Sequence, residues 1–186
     1  MSFLKRMTQH KAYLTTVLKH KAYVFYAGLK LGGIPVWRLL VHDVSKFYPV
    51  EYFGYRANFN PVDEAEKESN KKDWDRAWGH HWQSNPHHWQ YFTNEEQKAS
   101  AGGLQTIVHT KEMPEVDVRE MVADWMAAGR VYSKTGSWDI TDWFMANYPK
   151  MWLDDKTVPK LDRALKDIFV SFSSELQKRR RKNPPG

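Results

Sequence analysis

Apolar residues recur every three to four positions through most of the chain, and no stretch alternates at every second position between hairpin turns, so the pattern predicts helices throughout. The first runs over 8–31 and stops at Gly32-Gly33, a frequent helix C-terminal signal. Pro35 suits the first turn of a second helix, which continues through Trp37, Leu39, Leu40 and Val41 to Phe47 and ends before Pro49. A short third helix follows over 49–55. After Asn60-Pro61 comes a long polar helix over 62–82, with acids early and Lys71, Lys72 and Arg76 late, the order that the helix dipole favours. Ser84-Asn85-Pro86 breaks the pattern, because Asn85 is a good N-cap and Pro86 a good first helical residue. Residues 93–114, containing Gly102-Gly103, read as a long loop. Asp117 caps a helix striped by Val118, Met121, Val122, Trp125 and Met126, and a short helix over 139–147 closes at Tyr148-Pro149. The last helix starts near Thr157 and carries Leu161, Leu165, Ile168, Phe169, Phe172 and Leu176 on one face. The fold class is all-α, a compact single-domain bundle of about seven helices over 1–177, followed by a basic tail at 178–186.

Composition narrows the chemistry. With 41% hydrophobic and 15% aromatic residues in 186, the chain can bury a sizeable core and is not a disordered segment. No cysteine is present, so disulfides, thiolate nucleophiles and Cys-ligated zinc are excluded, leaving histidine and carboxylate as the good metal ligands. No window approaches a spanning segment and no cleavable leader is apparent, so the expectation is a soluble, cytoplasmic protein without a membrane partner.

The net charge of +6 is unevenly spread. Of 28 basic residues, five form the run Lys178-Arg179-Arg180-Arg181-Lys182; removing them leaves 23 against 22 acids. The body is therefore nearly neutral, and the tail is either a solvated end or an interaction tail for nucleic acid. A second basic stretch, Lys5 to Lys30, holds cations and no acid.

Three clusters carry candidate chemistry. His42-Asp43 directly follows the apolar run Leu39-Leu40-Val41, where an unpaired carboxylate is costly to bury, so a hydrogen-bonded partner or a metal ion must compensate it. His80, His81, His87 and His88 crowd a predicted helix break, where side chains from two elements converge; metal ligation competes with an exposed aromatic turn. Glu120 and Asp124 stand at i and i+4 on a largely apolar helix, an arrangement that an ordinary solvated flank also produces.

Taken in order, His20, His42-Asp43, the histidine cluster and Asp124 resemble the HD-domain superfamily, all-helical metal-dependent phosphohydrolases. His42-Asp43-Val44-Ser45-Lys46 is similar to the His-Asp-x-Gly-Lys motif of its phosphodiesterase branch, with Ser in place of Gly, and His87-His88 to that branch's paired histidines. The Gly-Tyr-Pro triplet that follows those histidines is missing, which argues against cyclic diguanylate as substrate. With the Glu51/Tyr52/Tyr55 segment, Ala77-Trp78, Asn85 and Glu120-Met121-x-x-Asp124-Trp125, the pattern over about 15–155 most resembles uncharacterised HD-like proteins of bacteriophages and bacteria.

The resemblance implies an HD-like fold and two divalent ions, from among Mn, Fe, Co, Ni and Zn, with a water acidified between them. It implies His20, His42, Asp43 and Asp124 as ligands of one ion, and His81, His87 and His88 of the other, with His80 competing for the place of His81. Lys46 is then expected to stabilise negative charge on phosphate, and Glu51 to orient water or protonate a leaving group. The implied substrate is a small phosphate ester or anhydride, a nucleotide or cyclic nucleotide; for a phage protein the compartment is the host cytoplasm. The alternatives are a metal-stabilised module binding nucleic acid or a host protein, and an HD-type di-iron oxygenase.

Overall fold

The computed structural model describes residues 3–100, 103–133 and 136–173. The chain is mostly helical, with one two-stranded sheet. Helix α1 spans Phe3–Leu31, α2 Val36–Val41, α3 Pro49–Phe59, α4 Glu64–Ser69, α5 Lys71–Ser84, α6 Glu115–Tyr132, α7 Thr141–Asn147 and α8 Val158–Ser171. Strands β1 (Thr93–Ser100) and β2 (Gly103–Thr110) form an antiparallel hairpin, and short 3-10 turns cover Val44–Phe47, Trp89–Phe92 and Tyr148–Lys150. The basic tail lies outside the described residues.

Two apolar clusters hold the helices. The larger packs Val24, Ala27 and Leu31 of α1 against Val118, Met121, Val122 and Met126 of α6 and Leu161, Ala164 and Ile168 of α8, with Phe172 beyond α8. Fully burying a side chain such as Met121 or Leu161 stabilises by about 1.5–3 kcal/mol. The smaller cluster joins Tyr13 and Val17 of α1 to Tyr55 of α3 and Ala77 of α5. Between them on α1 stands His20, one turn from Val17 and one from Val24, and it too is buried. The junction of the two clusters is therefore polar.

Four features depart from the expected elements. The predicted loop at 93–114 contains the hairpin: Thr93-Asn94-Glu95-Glu96-Gln97-Lys98 is polar on both faces and gives no two-residue hydrophobic period, while cross-strand pairs such as Gln97–Thr106 (2.8 Å) support it. The polar helix expected over 62–82 divides at Asn70, whose amide nitrogen reaches back to Glu66 and Lys67 while its side chain donates to Gly54 O of α3 at 2.9 Å. Phe169 is exposed instead of joining the core face of α8. The second helix does not reach Phe47: it ends at Val41, and Asp43 takes a left-handed backbone conformation (φ 55°, ψ 27°), the sole non-glycine residue with positive φ among those described. Aspartate tolerates that region better than most side chains.

Candidate metal centre

The break after α2 places Asp43 at the centre of the buried polar junction. Its carboxylate Oδ2 lies 3.5 Å from His20 Nε2 and 3.4 Å from His42 Nε2, and Asp124 Oδ1 from α6 lies 2.8 and 3.4 Å from the same two nitrogens. The other oxygen, Oδ1, lies 3.5 Å from His81 Nε2 and 3.3 Å from His87 Nε2. Two donor sets result, His20, His42, Asp43 and Asp124 on one side and Asp43, His81, His87 and His88 on the other. The donor atoms of each set lie within 4.8 Å of one another. All of these residues save Asp124 are at most 9% exposed.

The chain positions them with a ring of outer carboxylates. His42 Nδ1 and Glu120 Oε1 are 2.9 Å apart, and the same oxygen approaches His87 Nδ1 at 3.6 Å. Arg38 of α2 braces Glu120 through Nε (2.8 Å) and also ion-pairs with Asp117. Glu51 of α3 holds His81 Nδ1 (2.8 Å) and His80 Nδ1 (2.6 Å). A carboxylate on one ring nitrogen makes that nitrogen the donor and leaves the Nε2 lone pair for the interior. Asn85 caps α5 through the His81 carbonyl (2.7 Å) and donates to Ser45 Oγ (2.8 Å), tying the histidine turn to the segment after Asp43.

Each residue singled out in the sequence has a definite place. His81, with a side chain 2% exposed, faces Asp43, whereas His80, 35% exposed, reaches Glu51 from outside the centre. Lys46 is buried, with Nζ 2.6 Å from Asp43 Oδ2. Glu51 spends both oxygens on histidines and is fully buried, so its position suits holding imidazoles and not proton transfer to a leaving group. The sequence reading noted Glu120 beside Asp124 without giving it a place at the centre, and passed over Arg38. Their one available signal was the position of Glu120 beside Met121 on the apolar side of its helix, which a solvated flank does not require.

The electrostatics sort the groups by state. Burial disfavours the Asp43 carboxylate, but His42 and Lys46 outweigh it and hold its pKa well below the usual range. Asp124 is likewise held low against burial by the hydrogen bonds from His20 and His42. Burial also works against a charged His42, but Asp43 and hydrogen bonds to Asp124 and Glu120 prevail and raise its pKa well above the ordinary value. Burial wins at His81 and, helped by His87, at His88, so both are pushed down and present neutral rings. A depressed histidine destabilises the fold once the unfolded chain can take up a proton that the folded one refuses, that is, as pH falls below about 6.5. In metal-free protein, His88→Gln should therefore flatten the loss of stability as pH falls below about 6.5, read as urea midpoints against pH, whereas parallel curves for the two proteins would show that His88 does not carry the effect.

Several buried atoms lack a hydrogen-bond partner, among them Nε2 of His87 and His88 and Oδ1 of Asp43. Unpartnered imidazole nitrogens beside an unpartnered carboxylate oxygen are what a metal ion satisfies, and imidazole with carboxylate suits borderline and hard divalent ions. These groups are close enough to hold a metal ion.

Above them opens a cavity of about 410 Å³. Its floor includes His20, His81, His88, Asp124 and Lys46; Trp74, Trp78, Trp89 and Tyr132 form walls, and Gln90, Asn147 and Lys150 supply polar groups.

Comparison with curated proteins and with solved structures yields no match. A family model does match, over residues 9–167, a span that includes α1 from Gln9 onward, the donor sets and most of α8. Its description is "Family of unknown function (DUF5662)", and the chain that carries this buried histidine–carboxylate junction belongs to that family.

Proposed function

We propose that the protein is a metal-dependent phosphohydrolase of HD type, cleaving a phosphate ester or anhydride of a nucleotide. The observation that supports it is the sharing of Asp43: its two oxygens face two separate donor sets, as a bridging carboxylate in a two-ion site requires. His20, His42, Asp43 and Asp124 would hold one ion, and Asp43, His81, His87 and His88 the other. When bound, the ions supply Lewis-acid charge and a water acidified toward neutral pH.

The remaining work falls to the chain. Glu120 and Glu51 fix the tautomers of His42 and His81, so the donor nitrogens need no reorganisation. Lys46 stays charged, since Asp43 outweighs burial, and sits on the cavity floor where negative charge on a phosphate would be stabilised. Lys150 offers a second cation at the cavity wall, and Trp74, Trp78 and Trp89 offer faces on which a base stacks.

The experiment is phosphate release by purified protein supplied with manganese, cobalt or nickel, across a panel of nucleotides and cyclic nucleotides. Turnover of at least one member, dependent on added metal, is expected. Metal binding with no hydrolysis of any member would overturn the hydrolase reading, and co-purified iron with substrate-dependent oxygen uptake would replace it by the oxygenase.

A further inference from the structure

Helix α1 has two apolar faces, and the core uses one. Tyr13, Val17, Val24 and Leu31 point inward. At 100° per residue, Leu4, Met7, Leu18 and Leu29 fall within about 60° of arc, centred about 135° away from that buried face. All four are at least half exposed. This second stripe runs nearly the length of a helix about 43 Å long.

The stripe continues onto α2. Gly28 of α1 touches Leu39, and Lys21 of α1 hydrogen-bonds the Leu40 and His42 carbonyls, so α2 packs along the side of α1 next to the stripe. There Trp37 (64% exposed) and Leu40 (62%) turn outward, followed by Val41, Val44 and Phe47. An exposed apolar band of this extent marks an interaction surface.

Charge identifies the occupant. The cations of α1 are Lys5, Arg6, Lys11, Lys19, Lys21 and Lys30, and the helix has no acid. Lys11 falls within the stripe and Lys19 about 90° from its centre. Two such faces from copies of this chain would bring like charges together, whereas an anionic surface matches them. Leucine and tryptophan on one face with lysine beside it is the composition of helices that lie in a lipid headgroup layer.

We propose that the α1–α2 face docks on an anionic membrane surface, the apolar stripe entering the headgroup boundary and the lysines pairing with acidic lipids. Attachment of this kind is peripheral: among the described residues no helix is long and apolar enough to cross a membrane. The sequence expectation of no membrane partner rested on the lack of a spanning segment, which says nothing of surface binding.

The test is sedimentation of the full chain with phosphatidylcholine vesicles containing about one-third phosphatidylserine, beside pure phosphatidylcholine vesicles. Binding to the anionic vesicles is expected, weakened at least about tenfold by Leu18→Glu and, separately, by Lys11→Glu with Lys19→Glu, and reduced by salt. Both sites are exposed, and matched circular dichroism shows that the variants fold. Absence of binding to anionic vesicles overturns the proposal, as does equal binding of wild type and Leu18→Glu. Self-association of the wild type that Leu18→Glu abolishes, without vesicle binding, assigns the face to a second copy; tighter binding to duplex DNA than to vesicles assigns it to a nucleic acid.

Discussion

Asp43→Asn is expected to lower metal-dependent phosphate release by about a thousandfold or more, equivalent to about 4 kcal/mol of transition-state stabilisation, and to deplete both ions. No other donor belongs to both sets. Asparagine is the informative replacement because it accepts the left-handed backbone at this position, whereas alanine would add strain to the loss of charge. The substitution also strips Lys46 of the carboxylate 2.6 Å from its ammonium, leaving a buried cation without its main partner. The double variant with Lys46→Met separates the two effects, for it removes the orphaned charge and should recover thermal stability without recovering activity. Hydrolysis by either variant within about tenfold of wild type would show that Asp43 does not bridge the catalytic ions.

Gly54→Val is the second large effect, and it acts from outside the centre. Helices α3 and α5 meet at Gly54, where an added Cβ would stand 2.6 Å from Ala77 Cβ and 2.8 Å from the Asp73 carbonyl oxygen. A helical glycine replaced by a larger residue ordinarily gains up to about 1 kcal/mol in propensity. Here the backbone oxygen cannot step aside, so the helices must separate, costing about 1–3 kcal/mol. The displacement reaches the centre because α3 carries Glu51 and α5 carries His81, joined at 2.8 Å. Affinity for the ion on the histidine-rich side should fall by about 10–100-fold while the other set is less affected, measurable by metal titration with thermal denaturation alongside. Unchanged stability would mean that the helices tolerate the side chain.

What the sequence made legible was chemistry more than backbone. A His-Asp pair after Leu39-Leu40-Val41 declares itself, because a buried acid requires compensation, and four histidines around Pro86 are too many for packing. The helix break at His42–Asp43 was not legible, since the apolar period runs on through Val44 and Phe47, and local pattern cannot register that Lys21, some twenty residues earlier, takes the Leu40 and His42 carbonyls. Glu120 was discounted for a related reason. An i, i+4 pair of acids looks the same on a wet helix and a buried one, and only the packing of α6 on α1 and α2 decides between them. The hairpin escaped because its strands expose polar side chains on both faces; it is held by its ladder and by cross-strand polar pairs.

The seam between the two apolar clusters also bears on the kinetics of the protein. The side chains meeting there come from positions as far apart as His20 and Asp124, so in an unfolded chain nothing resembling the centre exists, and closing such long loops is slow. An ion held by these groups would bind the folded state alone and add its binding energy to folding by mass action.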